Sequence, residues 1–294
     1  MKVLLLGSSG QLGISIIKQK PKEIELFSFK KFDLNILNKQ KLKGKINEIK
    51  PDWVINAAAY TNVEQAEKNK EYALKVNRDG PKIISEAIKE IGGKLLHIST
   101  DFVFDGKSSV PYKPTDKTNP ISFYGTSKLL GEEEIKKVFT SKNNFIILRT
   151  SWLMGPFGNN FAKTMIKLHQ EKDYIKVVND QLGSPTSTIS LANICWKIIN
   201  KSNLDISLKF PEIMHWCDQG QTNWYEVAKV VGDIALKLNK ISKISKVIPI
   251  NSSEYKTLAS RPSYSVLDTE ETEKILKFKP LNWKQTIYRS FRDY

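Results

Sequence analysis

The N-terminus constrains the fold most tightly. An apolar run over residues 3–6 leads into Gly7-Ser8-Ser9-Gly10-Gln11-Leu12-Gly13, and a helical pattern follows near residues 11–19. A buried strand that turns on glycine into a helix is the opening unit of a parallel α/β sheet. The helix start then offers free N–H groups and the positive end of the helix dipole to a phosphate. The first glycine permits the tight turn, the second lets backbone approach phosphate, and the third packs helix on strand. Gly7, Gly10, Gln11, Leu12 and Gly13 are therefore candidates to hold a dinucleotide. Their spacing is G-x-x-G-x-x-G, not G-x-G-x-x-G.

Alternation continues behind that loop. Strand patterns at 25–29, 53–55, 95–100 and 145–149 are separated by helical patterns, including a long one over 69–91. In the latter, Ala73, Val76, Ile83, Ile84, Ala87 and Ile88 are spaced as one buried stripe. Strands alternating with helices predict an α/β, Rossmann-like doubly wound parallel sheet over residues 1–150. Beyond residue 150 the pattern is less regular. A turn-rich stretch at 179–186 precedes a helix near 187–200, another helix spans 224–238, and a short strand at 247–250 and a terminal helix at 284–292 follow. This half has no second glycine fingerprint. It reads as a smaller α/β substrate-binding lobe, 151–294, with a soft boundary across which some segments can return to the first sheet.

Composition narrows the class. The 294 residues are 40% hydrophobic and include six tryptophans, enough for a substantial core. No apolar run approaches the roughly 18 residues of a membrane span, and the short N-terminal run reads as a first strand, not as a signal peptide. Two cysteines, Cys195 and Cys217, exclude a disulfide framework and a Cys-rich zinc site. A reducing cytoplasm is the expected compartment. The formal charge is +15, from 46 Lys+Arg against 31 Asp+Glu. The positive residues are dispersed, without a basic block or stacking aromatics, so no nucleic-acid partner is expected. Such a field also attracts phosphorylated cofactors and nucleotide-linked substrates.

Dinucleotide folds place an acid about 20 residues beyond the glycines, on the adenosine ribose. Asp33 lies at that distance, crowded by Ser28, Lys30 and Lys31, with Leu34 beside it. Two cations and a hydroxyl suit a 2′-phosphate, which favours NADPH with NADH tolerated; the same lysines can also be plain solvated charges. Asn56-Ala57-Ala58-Ala59-Tyr60-Thr61 follows the third strand, where small side chains leave room for a flat ligand. They also suit a close strand–helix contact. The long polar loop 101–120 has the Pro and Gly content of a lid.

The chemistry gathers at Ser99-Thr100-Asp101 and at Tyr124-Gly125-Thr126-Ser127-Lys128. Residues four apart share a helix face, so the phenol and the ammonium can converge on one pocket. A free tyrosine titrates near pKa ~10, and a neighbouring lysine cation pulls it toward the working range. Thr100, at a strand end, can hold a substrate oxygen as charge develops on it. Alone, the Tyr-x-x-x-Lys pair reads rather as a half-buried tyrosine beside a solvated lysine; the surrounding features change that.

Taken in order, these motifs resemble the extended short-chain dehydrogenase/reductases and, within them, the dTDP-4-dehydrorhamnose reductases. Val63-x-x-Ala66-Glu67, Arg149-Thr150-Ser151-Trp152, Asp180-Gln181-x-Gly183-x-Pro185-Thr186, Asn223-Trp224-Tyr225-Glu226 and Arg261-Pro262-x-x-Ser265-x-Leu267-Asp268 extend the resemblance over nearly the whole chain. It implies NADPH-dependent reduction of the C4 keto group of dTDP-4-dehydro-L-rhamnose. Thr100, Tyr124 and Lys128 would be the catalytic set, with Tyr124 protonating the alkoxide and Lys128 also holding the nicotinamide ribose. Thr61, Val63, Asp101, Phe102, Trp152, Gln181 and Arg261 would face the substrate, although Trp152 is equally an ordinary core aromatic. Two departures stand out. Ser15 and the Thr188-Ile189-Ser190-Leu191 stretch lack the acids of the family's magnesium site, so no metal and no magnesium-bridged dimer are expected, but a monomer or weak dimer. Phe102 stands where the family often has Tyr, which removes a hydroxyl near the sugar. Another nucleotide-sugar 4-keto reductase and a non-catalytic NADP-binding regulatory subunit are the alternatives.

Overall fold

The computed structural model describes residues 1–139, 144–204 and 209–294. Chain order begins with β1 (Lys2–Leu6), α1 (Gln11–Lys18), β2 (Glu25–Phe29), α2 (Lys39–Ile49) and β3 (Trp53–Asn56). Next come α3 (Val63–Lys68), α4 (Lys70–Leu74), α5 (Gly80–Glu90), β4 (Lys94–Thr100), α6 (Phe123–Val138) and β5 (Phe145–Thr150). The second half holds β6 (Leu153–Met154), α7 (Phe161–Glu171), β7 (Tyr174–Val178), β8 (Leu182–Gly183), β9 (Thr186–Ser187) and α8 (Thr188–Leu204). It closes with β10 (Ile213–His215), β11 (Thr222–Asn223), α9 (Trp224–Lys237), β12 (Lys246–Ile250), α10 (Glu270–Leu276) and α11 (Trp283–Arg292).

The main sheet runs β10-β5-β4-β3-β1-β2, and all its pairings are parallel. A parallel sheet covered on both faces needs strands that are apolar throughout. In β1, Val3 and Leu5 join a core with Leu12 and Ile16 of α1 and with Leu191, Ile194 and Ile198 of α8. Leu4 and Leu6 point the other way, onto Leu42 and Ile46 of α2 and Ile84 and Ile88 of α5. Helix α8 and strand β10 thus come from the second half of the chain yet complete the first sheet and its cover. A third core, built from Met165 of α7, Ile175 and Val177 of β7, Val227 and Val231 of α9 and Ile287 of α11, holds the remaining segments together. There β7 and β12 pair in parallel.

Strand order reverses at β1, which lies between β2 and β3, and a crevice opens outside the carboxyl ends at such a point. Gly7 sits at φ 83°, and a Cβ there would come within 2.6 Å of the Ala58 backbone nitrogen. The first glycine therefore serves the packing of two loops on each other as well as the turn. A Cβ on Gly13 would lie 2.3 Å from the Gly7 carbonyl oxygen, which fixes helix α1 close to its strand.

The 69–91 pattern is helical, but not uniformly so. Between α4 and α5, Lys75–Asp79 winds as a π-helix. The wider turn brings Asn77 fully inside, although the apolar stripe gives no hint of a buried amide there. Its Oδ1 accepts from the Tyr60 amide at 2.8 Å, and its Nδ2 donates to the Tyr60 carbonyl at 3.0 Å and to Ser127 Oγ at 2.9 Å. Helix α6 reaches this knot because Gly131 has no side chain; a Cβ would lie 2.0 Å from the Asn77 carbonyl oxygen. Gly131→Ala should therefore push α6 outward and cost about 1–3 kcal/mol, read as a lowered urea midpoint. An unchanged midpoint would show that the two segments are not packed this tightly.

The 101–120 stretch is anchored more than a free lid would be. Tyr112 exchanges backbone hydrogen bonds with Val266 and Asp268, at 2.8 Å each. Its ring stacks on Phe104 at 4.2 Å.

Candidate active site

Each element delivers its residues to the carboxyl edge of the sheet. Helix α1 starts there with Gly10 as N-cap and no side-chain cap, so its first N–H groups are free to meet a ligand. Thr100 ends β4. Ser122 caps α6 by accepting from the Gly125 amide at 3.2 Å, while Glu67 accepts from the Phe123 amide at 2.7 Å. Those two caps fix the first turn of α6, which carries Tyr124, and Lys128 follows one turn later.

The edges enclose a cleft of about 620 Å³. Gly10, Gln11 and Leu12 line one side, Thr100, Asp101, Phe102, Tyr124 and Lys128 its floor, and Trp152, Trp224 and Arg261 the side away from the sheet. Ala57, Ala59, Thr61 and Val63 complete the wall. A smaller cleft of about 230 Å³ shares Gly10, Ala57 and Ala59 with it and continues past Gly7, Leu34, Ala58, Tyr60 and Lys31. Two connected clefts that meet over a glycine loop and an uncapped helix start fit a dinucleotide, with its pyrophosphate at the junction.

Trp152 adopts φ 42°, a conformation rare for a bulky residue. Its ring rests on Gly183, where a Cβ would lie 2.4 Å from the indole, and stacks on Trp224 at 3.6 Å. Phe161 packs on Trp224 at 4.6 Å. Trp152 is thus both packed and exposed to the cleft. Trp224, which the Asn223-Trp224-Tyr225-Glu226 motif contains without placing it in the site, and Phe161, outside every motif, join it as lining. Their signal was only the aromatic at the head of an N-capped helix.

Electrostatics depart from expectation at the tyrosine. Tyr124 is partly buried, and desolvation of its hydroxyl pushes its pKa up to about 12; the Thr100 hydroxyl opposes this and the Asp101 charge adds to it. Lys128 does not lower it, because its Nζ turns to the Ile98 carbonyl at 2.7 Å and to His97 Nε2 at 3.2 Å. Burial brings Lys128 down to about 8, against the pull of Glu132. Asp101, buried beside Thr100, rises to about 6, again by burial. Thr100 Oγ1 donates to Asp101 Oδ1 at 3.0 Å.

Other expected residues sit differently. Lys30 lines neither cleft, and Asp33 turns its carboxylate back onto the Lys30 amide at 3.3 Å. The tight turn at 30–34 instead presents Lys31 and Leu34, and Lys31 Nζ donates to the Tyr72 hydroxyl at 2.9 Å. Asn56 is fully buried: its Oδ1 accepts from the Ala58 amide and its Nδ2 meets His97, so it shapes the wall from behind. Gln181 is buried outside the cleft lining. Arg261 lines the cleft but is already paired with Glu64, Nη2 to Oε1 at 2.8 Å.

The family model described as RmlD substrate binding domain matches residues 1–294. A dTDP-4-dehydrorhamnose reductase of Aggregatibacter actinomycetemcomitans is 36% identical over 100% of this chain and 99% of its own. The chain belongs to the dTDP-4-dehydrorhamnose reductase family. Solved structures agree. The dTDP-4-dehydrorhamnose reductase of Bacillus anthracis, crystallised in complex with NADP, superposes with a TM-score of 0.91 at 34% identity, covering 100% of this chain and 99% of that one. The Clostridium acetobutylicum member gives 0.89 at 37% identity, over 99% and 98% of the two chains. Within this dTDP-4-dehydrorhamnose reductase family fold, the Rossmann-like α/β architecture expected from the glycine loop is the one found. Among the described residues no helix is long and apolar enough to cross a membrane.

Proposed function

We propose that this chain reduces the C4 keto group of dTDP-4-dehydro-L-rhamnose with NADPH, yielding dTDP-L-rhamnose. One observation carries the reading: Thr100, Tyr124 and Lys128 meet on one cleft floor, opposite an uncapped helix start and glycine loop. Gly7, Gly10, Gln11, Leu12 and Gly13 would seat the pyrophosphate, and Lys31, Leu34 and Tyr60 the adenosine end. The cofactor supplies the hydride to C4. Tyr124, kept a neutral phenol by burial, holds the proton that the new alkoxide needs, and the Thr100 hydroxyl orients the carbonyl oxygen. Trp152 and Trp224 offer an apolar face to the deoxysugar, while Thr61, Val63, Asp101 and Phe102 bound its pocket. Arg261, exchanging Glu64 for a diphosphate, would hold the nucleotide.

Residues 151–294 act in this reading mainly as the substrate lobe, with α8 and β10 lent to the sheet. The protein works in the cytoplasm as a monomer or weak dimer, without a bridging magnesium. The assay is loss of NADPH absorbance on addition of enzymatically generated dTDP-4-dehydro-L-rhamnose. Steady turnover supports the reading; a folded, NADPH-binding protein with no turnover counts against it. For the cofactor, Lys31→Ala should raise the KM for NADPH roughly tenfold, the size of one lost charge-assisted contact, and that for NADH little. Equal effects on both would remove Lys31 from phosphate recognition.

A further inference from the structure

His97 lies on the central strand β4, fully buried, and neither the sequence motifs nor the proposed reaction gives it a task. It faces Asn56 across the β3–β4 ladder and lies beneath Lys128 of α6. The protons in this cluster can be placed by hydrogen-bond logic alone. The Ala58 backbone N–H can only donate, so the Asn56 atom 3.1 Å away is the carbonyl Oδ1. The other Asn56 atom is then the NH2 group, a donor, and it lies 3.0 Å from His97 Nδ1. His97 Nδ1 must accept, which leaves the ring proton of a neutral imidazole on Nε2. That N–H points at Lys128 Nζ, 3.2 Å away. An ammonium has three donors and no acceptor, so it would oppose the Nε2–H; an amine has a lone pair to receive it and still donates to the Ile98 carbonyl at 2.7 Å.

We propose that His97 is a positioning residue that acts through Lys128: locked by Asn56 as the Nε2–H tautomer, it donates to the Lys128 amine, pins the side chain to β4 and favours its uncharged form. The lysine is then poised to gain and lose a proton near the working pH, in place of a permanent cation. This extends the catalytic set proposed above and rests on it only for its functional meaning.

The surroundings agree in direction. Burial holds His97 well below the usual imidazole range, and a charge on Lys128 only pushes it further down, so the ring is neutral in either state of the lysine. Burial also lowers Lys128, and Glu132, one turn further along α6, is the opposing charge. Glu132 is itself clamped by Arg149 of β5. Tyr124 lies one turn back, Asp101 follows β4, and Glu67 of α3 is engaged by the Phe123 amide. From the π-helical turn the non-titrating Asn77 reaches Ser127, and Arg78 acts on Glu134 and Lys137 further along α6. Lys70 of α4 lies over the Phe123 ring, and Lys82 of α5 pairs with Glu134 near the far end of the helix. The other two histidines have different partners: His169 meets the Ala228 carbonyl and the Ser245 amide, and His215 the Tyr112 carbonyl.

The test uses the full chain without substrate. Two-bond nitrogen–proton correlations on protein with isotope-labelled histidine report each tautomer, and His97→Gln assigns the His97 signals among the three histidines. Side-chain carbon shifts of labelled lysine, with Lys128→Met as the assignment control, follow the Lys128 titration. The wild type should show Nε2–H at His97, and Lys128 should titrate about one pH unit or more below its value in His97→Phe, a roughly tenfold change in the amine fraction. His97→Gln, which keeps an N–H donor, should stay nearer the wild type. An Nδ1–H tautomer, or a Lys128 titration unmoved by His97→Phe, overturns the proposal. If His97→Phe does not fold, the wild-type tautomer still decides. Both readouts are independent of turnover, so loss of the reductase reading and loss of this one are told apart.

Discussion

Tyr124→Phe should abolish nearly all turnover while leaving NADPH binding and the fold intact. The phenol is the neutral acid beside Thr100 on the cleft floor: burial pushes Tyr124 up to about 12, so it keeps its proton at neutral pH. Asp101, raised to about 6, is largely ionised, and Lys128, brought down to about 8, has its Nζ turned to the Ile98 carbonyl and His97. Removing a positioned general acid costs roughly 10²–10⁴-fold in rate. The ring would survive, because its packing against Phe102 at 5.5 Å involves only carbon atoms. The expected split is a collapsed kcat with a dissociation constant for NADPH within about twofold of wild type, since an aromatic ring of equal size keeps the wall in place. A variant that retains more than about a tenth of the activity would mean that a water or Thr100 protonates the alkoxide, contrary to the magnitude expected of a general acid.

The second large effect is on stability, one turn beyond Lys128. Glu132 and Arg149 have side chains only 0% and 2% exposed and form a bidentate pair, Nε to Oε1 at 2.9 Å and Nη2 to Oε2 at 2.6 Å. Ser99 donates to the same Oε1, so the pair ties α6 to β5 and to the end of β4, directly beside Thr100. The guanidinium also lies over the Phe104 ring at 5.2 Å. Arg149→Met would leave the Glu132 carboxylate buried without its cation, which costs about 3–5 kcal/mol. The double replacement Arg149→Met with Glu132→Leu removes both charges and should recover much of that loss, since apolar residues of similar volume often substitute for a buried pair without net cost. Urea unfolding of the three proteins reads this directly. If the single and double variants unfold at the same midpoint, the uncompensated charge is not what destabilises.

Local chemistry made much of this protein legible. The glycine loop, the alternation of apolar strands with amphipathic helices, and the four-residue spacing of Tyr124 and Lys128 are properties of neighbouring residues. Neighbouring residues set the β1 and α1 geometry and place two side chains on one helix face whatever the rest of the chain does. Three things needed the fold. The direction in which the turn at 30–34 points its side chains, Lys31 along the rim of the smaller cleft and Asp33 back on itself, follows from how that turn lies beside Tyr72. The return of α8 and β10 to the first sheet depends on which uncovered edge and face they meet, a contact more than 60 residues distant in sequence for β10 and β5. The charge states of Tyr124 and Lys128 depend on burial, and Lys128 also meets His97, which stands opposite Asn56 only once β3 and β4 are paired. Spacing determines which groups can meet. Desolvation and the neighbours brought by tertiary packing decide where each proton resides, because the free energy of a charge depends on everything within a few ångströms of it and not on its place in the chain.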